Sequence, residues 1–133
     1  MSRLLHPSAV AEEQDPEGFV YAMKCTSFVK IGWSTQVDRR LNQIRSCNPR
    51  EVHLLGTVRG TVGDEYMLHL VLRQEHYRGE WFRHQGFTEM AIQKFKEFET
   101  AKEVIQWLQD ERERLLDKSK DVQSKIASGE YTV

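Results

Sequence analysis

The sequence predicts a small α+β domain in which a three-stranded antiparallel sheet is flanked by helices, in the order β-β-α-β-α with a helical extension after it. Three observations predict it. Two runs rich in aromatic and β-branched residues, FVYAMKC (19–25) and FVKIGW (28–33), stand either side of a two-residue polar break, as a hairpin requires. A third run, EVHLLGTVR (51–59), alternates apolar and polar residues. The segments between and after these runs carry apolar residues at three- and four-residue spacing, and three strands need such helices to cover them.

Each element has its own signal. Thr26-Ser27 is the hairpin turn, without the Asn-Gly or Asp-Gly pair of the strongest cases. Ser34 or Thr35 can cap the helix that follows, whose Val37, Leu41 and Ile44 fall on one face and which Pro49 stops. Gly60 and Gly63 bracket a turn after the third strand. The segment DEYMLHLVLRQE (64–75) then places Met67, Leu68, Val71 and Leu72 on one helical face. Gly79-Glu80-Trp81-Phe82 reads as a short extended piece. From Thr88 the chain reads as helix through Ala91, Phe95 and Phe98. Thr100 with Glu103 forms a capping box that opens a separate helix carrying Val104, Ile105, Leu108 and Leu115. The expected organisation is a mobile arm over 1–17, a domain over 18–98, a helix over 99–120 and a frayed tail over 121–133.

Composition narrows the function classes. A chain of 133 residues with 39% apolar and 29% charged residues supports one compact core and is not a disordered chain. No apolar run approaches the roughly 18 residues of a membrane span, and the N-terminal stretch lacks a signal-peptide pattern. Cys25 and Cys47 stand alone, with no CxxC and no Cys/His quartet, which speaks against structural zinc and a disulfide scaffold. The expected setting is therefore cytoplasmic, with no membrane partner. Net charge is -1, but it is unevenly placed. Residues 18–60 carry Lys24, Lys30, Arg39, Arg40, Arg45, Arg50 and Arg59 against Asp38 and Glu51. Such a local excess attracts polyanions, although arginines and lysines on a solvated face read the same way.

The chemistry-bearing residues are spaced so that they can meet. Tyr21 and Lys30 lie on adjacent strands, with Gly32 where the backbone must run close to a neighbour. Arg40 lies on the first helix, on a different face from Leu41. Glu65 opens the second helix, and His69 follows four residues later on the same face. A phenol, an ammonium, a guanidinium, a carboxylate and an imidazole can thus converge on one side of a small sheet.

The spacing FVY (19–21), KIG (30–32), Arg40 and Glu65 resembles the GIY-YIG nuclease superfamily. GDEYMLH (63–69) followed by GEWF (79–82) resembles its phage- and bacteria-associated branch, in which lysine often replaces the second motif tyrosine. The resemblance covers residues 18–86. Phe19 stands where that family has glycine and Lys30 where it usually has tyrosine, and no asparagine follows Asn48. The resemblance implies an endonuclease that cuts DNA phosphodiesters with one Mg²⁺ or Mn²⁺.

Phosphodiester hydrolysis needs a base, positive charge for the phosphorane and help for the leaving oxygen. Tyr21 is the expected base, its pKa lowered by Lys30. Arg40 offers a planar donor fork for phosphate, Glu65 is the expected metal ligand, and His69 contacts phosphate or orients water. Lys24, Arg39, Arg45 and Arg50 are the expected nucleic-acid contacts. Glu80 is a runner-up carboxylate, Trp81, Phe82 and Trp107 read as packing residues, and His53, His76 and His84 read as structural or surface groups. DNA, double-stranded or branched, is the expected partner, RNA remaining open, with the protein a monomer or a homodimer through its last helix. Two other classes stand beside this reading: a binding module of the same fold without catalysis, and a protein-interaction domain using the C-terminal helix.

Overall fold

The computed structural model describes residues 16–129, so the expected N-terminal arm lies almost wholly outside the described residues. Strands β1 (Gly18–Cys25) and β2 (Phe28–Ser34) form the expected hairpin, with Cys25 opposite Phe28. Thr26 takes φ 57° in the turn and its hydroxyl donates to the Cys25 carbonyl at 2.6 Å. Helix α1 (Val37–Ser46) follows. Neither Ser34 nor Thr35 is its cap: Gln36 is, and the Ser34 hydroxyl accepts from the Gln36 N–H at 3.0 Å just ahead of it. Strand β3 (His53–Gly60) then pairs with β1 on the side away from β2.

Helix α2 (Val62–Val71) begins two residues before the expected Asp64. Thr61 and Asp64 form a capping box, each satisfying the other's backbone N–H, at 3.2 and 3.0 Å. The helix also ends sooner than residue 75, passing into a 3₁₀ turn over Arg73–Glu75. Two short strands follow, β4 (His76–Arg78) and β5 (Trp81–Arg83). The sheet accordingly has five antiparallel strands in the order β3-β1-β2-β5-β4, not three. Helix α3 (Gly86–Glu97) starts two residues ahead of Thr88. Helix α4 (Ala101–Ala127) opens on the Thr100–Glu103 capping box and continues seven residues beyond the expected end at 120. Only its first half packs: Val104, Ile105 and Leu108 are buried, whereas Leu115, Leu116, Val122 and Ile126 are exposed. None of the described helices is long and apolar enough to cross a membrane.

The pleat divides the core in two. Val20, Ala22, Val29 and Ile31 face α2, α3 and α4 and join Leu68, Leu72, Phe82, Phe95 and Leu108 in the larger cluster. Tyr21 and Met23 face the other way, toward Leu41 of α1 and Val52. Both faces of the hairpin are therefore covered. The edge of β2 is covered only in part, because β5 pairs with Phe28, Val29 and Lys30 and then turns away.

Candidate functional site

That uncovered stretch of β2 is where the site forms. The N–H of Ile31 bonds the Glu80 carbonyl at 2.9 Å, the last rung to the β4–β5 hairpin. The Ile31 carbonyl, which points to the same side, is taken by His69 of α2, whose Nε2 lies 2.8 Å away. A carbonyl only accepts, so Nε2 is the protonated nitrogen, which leaves Nδ1 as the basic nitrogen of the neutral ring. Phe82 meets the imidazole edge-on at 4.9 Å between centroids and fixes its plane.

One turn earlier on α2, Glu65 lies 3.8 Å from His69 Nε2. Its neighbour Asp64 is buried and serves the helix start, accepting from Thr61 and from Lys102 Nζ at 2.6 Å. Two consecutive carboxylates thus divide: one caps the helix and the other faces the site. Burial pushes the Glu65 pKa from the ordinary 4.5 to about 7, and the nearby Glu80 carboxylate pushes the same way. Lys30 and Arg40 act against both.

Tyr21 comes from the opposite side of the sheet. It pairs with Gly32 in the hairpin, its side chain is fully buried, and its hydroxyl has no hydrogen-bond partner. Gly32 is required: a β-carbon there would overlap the Tyr21 hydroxyl and ring. Burial raises the phenol pKa. Arg40 lies close enough to favour the phenolate, though its N–H groups are not aligned on the oxygen, and the Glu80 and Glu65 charges raise the pKa further.

The expectation for Lys30 is corrected here. It stands opposite Met23, not Tyr21, and its ammonium is 3.0 Å from Glu80 Oε1. The cation that bears on the phenol is Arg40, and the net shift is upward, so Tyr21 is a neutral hydroxyl at neutral pH in the free protein. Trp81 does more than pack, since its ring lies 5.7 Å from Lys30 Nζ and walls the ammonium.

Arg40, Glu65 and Glu80 thus all lie within electrostatic reach of Tyr21, and Lys30 and His69 touch members of the group. The other basic residues are dispersed. Arg39 is exposed on α1 and shares with Arg40 a cleft of about 250 Å³. Lys24 and Arg50 line a separate concavity, and Lys24 Nζ donates to His84 Nδ1 at 2.7 Å. Arg45 is structural at its Nε, which donates to the Val52 carbonyl at 3.0 Å. His53 pairs with Glu51 at 3.4 Å, and His76 bonds the Gly79 carbonyl at 2.9 Å.

Glu80 reads as a runner-up carboxylate in the sequence, and the structure brings it close to Lys30, Glu65 and Tyr21. The available signal was its position beside Gly79 in the turn between two residues, Arg78 and Trp81, that pair across a tight hairpin; Gly79 takes φ 55° there.

Fold and site together define a small α+β domain with a cation-rich, carboxylate-bearing cluster at a sheet edge. Residues 18–109 match the model of the T5orf172 domain, and the chain belongs to that family, a phage-associated domain related to homing-endonuclease and GIY-YIG-like nucleases. No curated protein and no solved structure matches the chain.

A relationship of that kind raises the question of a divalent ion. Among the described residues, no three His, Cys, Asp or Glu side chains gather as a metal cage. Glu65 nevertheless suits one end of a hard cation: it is a half-buried oxygen donor with no aligned cation partner, and an ion there would relieve the repulsion from Glu80. Glu65 is the residue that would hold such an ion.

Proposed function

We propose that the protein is an endonuclease that hydrolyses DNA phosphodiester bonds at the cluster on the edge of β2. The observation that carries this reading is the meeting of Glu65 and His69, delivered by α2, with Tyr21 and Arg40, delivered from the opposite face of the sheet. An ordinary surface ion-pair network does not call for a fully buried, unpartnered hydroxyl beside it.

Each residue has a task that follows from its chemistry. Arg40 presents a fixed, permanently charged fork to two phosphate oxygens. Lys30 adds a point charge beside it. The Tyr21 hydroxyl is neutral and closed off from solvent in the free protein; once nucleic-acid binding uncovers it, it would donate a hydrogen bond to an oxygen that gains charge in the transition state. His69, held through its Nε2–H by Ile31, keeps a free nitrogen that accepts the proton of the attacking water. Glu65 would hold one Mg²⁺ or Mn²⁺, which when bound supplies Lewis-acid polarisation of the phosphate. The role of base therefore moves from Tyr21 to His69. The test is nicking of supercoiled plasmid with and without divalent ion, with Glu65 and His69 substituted in turn.

A further inference from the structure

The Lys30–Glu80 pair has a geometry that a permanent structural salt bridge does not need. Glu80 occupies the two-residue turn of the β4–β5 hairpin, beside Gly79, and its carbonyl closes the last rung to Ile31. That rung and the Lys30–Trp81 register hold the backbone of Glu80 against β2, so its carboxylate is delivered to Nζ at 3.0 Å. The two partners are unequal. The Lys30 side chain is 19% exposed, with the Trp81 ring on one side, whereas the Glu80 side chain is 42% exposed. The ammonium is fixed and the carboxylate is free to turn into water. Glu65 is in electrostatic reach of both members of this pair.

We infer that Glu80 is an internal stand-in for a substrate phosphate: its carboxylate covers the Lys30 ammonium in the free protein and gives way to a phosphodiester oxygen when nucleic acid binds. The inference rests on the nuclease reading above and names the group that the substrate must displace. An ion pair with one partner open to solvent can be exchanged in this way, because water solvates the departing carboxylate. A phosphodiester carries the same single negative charge and accepts the same hydrogen bond. Glu80 is thus a positioning residue, acting through Lys30 on where the phosphate settles, and the short β4–β5 hairpin is the element that supplies it.

The test is binding of a fluorescein-labelled DNA duplex in EDTA, where no cleavage interferes, by the parent, Glu80→Gln, Lys30→Gln and the double variant, over a series of salt concentrations. Glu80→Gln is expected to bind about twofold to fivefold more tightly, since no pair has to be broken. Lys30→Gln is expected to bind more weakly, with the magnitude of its salt slope reduced by roughly one. In the Lys30→Gln background the gain from Glu80→Gln should shrink by at least half, leaving only relief of direct repulsion. An equal gain in both backgrounds, or none in either, overturns the inference while the nuclease reading stands. A parent protein that binds no DNA at low salt overturns both. Thermal melting of each variant, with midpoints near the parent's, assigns the changes to binding and not to folding.

Discussion

The hydroxyl of Tyr21 occupies the space that the β-carbon of any residue other than glycine would need at position 32. The two residues are opposite each other in the β1–β2 hairpin, so the close approach is built into the register. Gly32→Ala should therefore push the phenol out of place. The expected cost is about 1–3 kcal/mol of stability, read as a lower urea midpoint, together with most of the cleavage activity. An alanine variant with the parent's midpoint and rate would mean that the ring is not held there.

Tyr21→Phe should act on stability and activity in opposite directions. The buried hydroxyl has no partner, so deleting it should leave stability unchanged or raise it by up to about 1 kcal/mol. Losing the donor should lower the cleavage rate roughly a hundredfold to a thousandfold. Chemical denaturation and single-turnover kinetics on the same preparation separate the two effects. A phenylalanine variant that is clearly less stable would show that the hydroxyl is satisfied after all.

The raised pKa of Glu65 makes a prediction about stability against pH. The folded protein holds this proton more tightly than the unfolded chain, with a pKa of about 7 in place of 4.5. The contribution is present in full below pH 4.5 and is lost as pH rises through about 7, because the buried carboxyl must then ionise. Its size is on the order of 1–3 kcal/mol. Glu65→Gln should abolish the decline, and so should be more stable than the parent at pH 8 by that margin while matching it near pH 4. Urea unfolding of both proteins at several pH values checks this, and parallel curves would contradict it.

The adjacent carboxylates should separate cleanly. Asp64→Ala removes half of the α2 capping box and the bond to Lys102, and should cost about 1–2 kcal/mol of stability with cleavage per folded molecule retained. If that variant instead loses activity at full stability, Asp64 belongs to the site and the division between the two residues fails.

Much of this arrangement was legible in local patterns. The β1–β2 hairpin followed from FVYAMKC and FVKIGW, and the opening of α4 from Thr100 and Glu103. The start of α2 was misplaced because its box uses Thr61 with Asp64, a shorter acid, and because Gly63 read as part of a turn. Strands β4 and β5 have three residues each, and His76, Tyr77 and Arg78 are all exposed, so no alternation marks them. Missing that hairpin hid the pairing of Glu80, the runner-up carboxylate, with Lys30, fifty positions away in sequence. Lys30 was assigned to Tyr21 from adjacency of strands alone; the register, a property of the whole ladder, pairs Tyr21 with Gly32 instead.

The most direct test of the central claim compares the parent with Glu65→Gln on supercoiled plasmid in Mg²⁺ or Mn²⁺, with duplex binding measured in EDTA alongside. The parent should nick the plasmid only with the divalent ion present. The variant should lose at least about a hundredfold in rate while still binding DNA, because the removed group attracts no phosphate. A Glu65→Gln protein that cuts as fast as the parent, or a parent that cuts equally well in EDTA, would contradict the assignment of Glu65 and with it the account of the site.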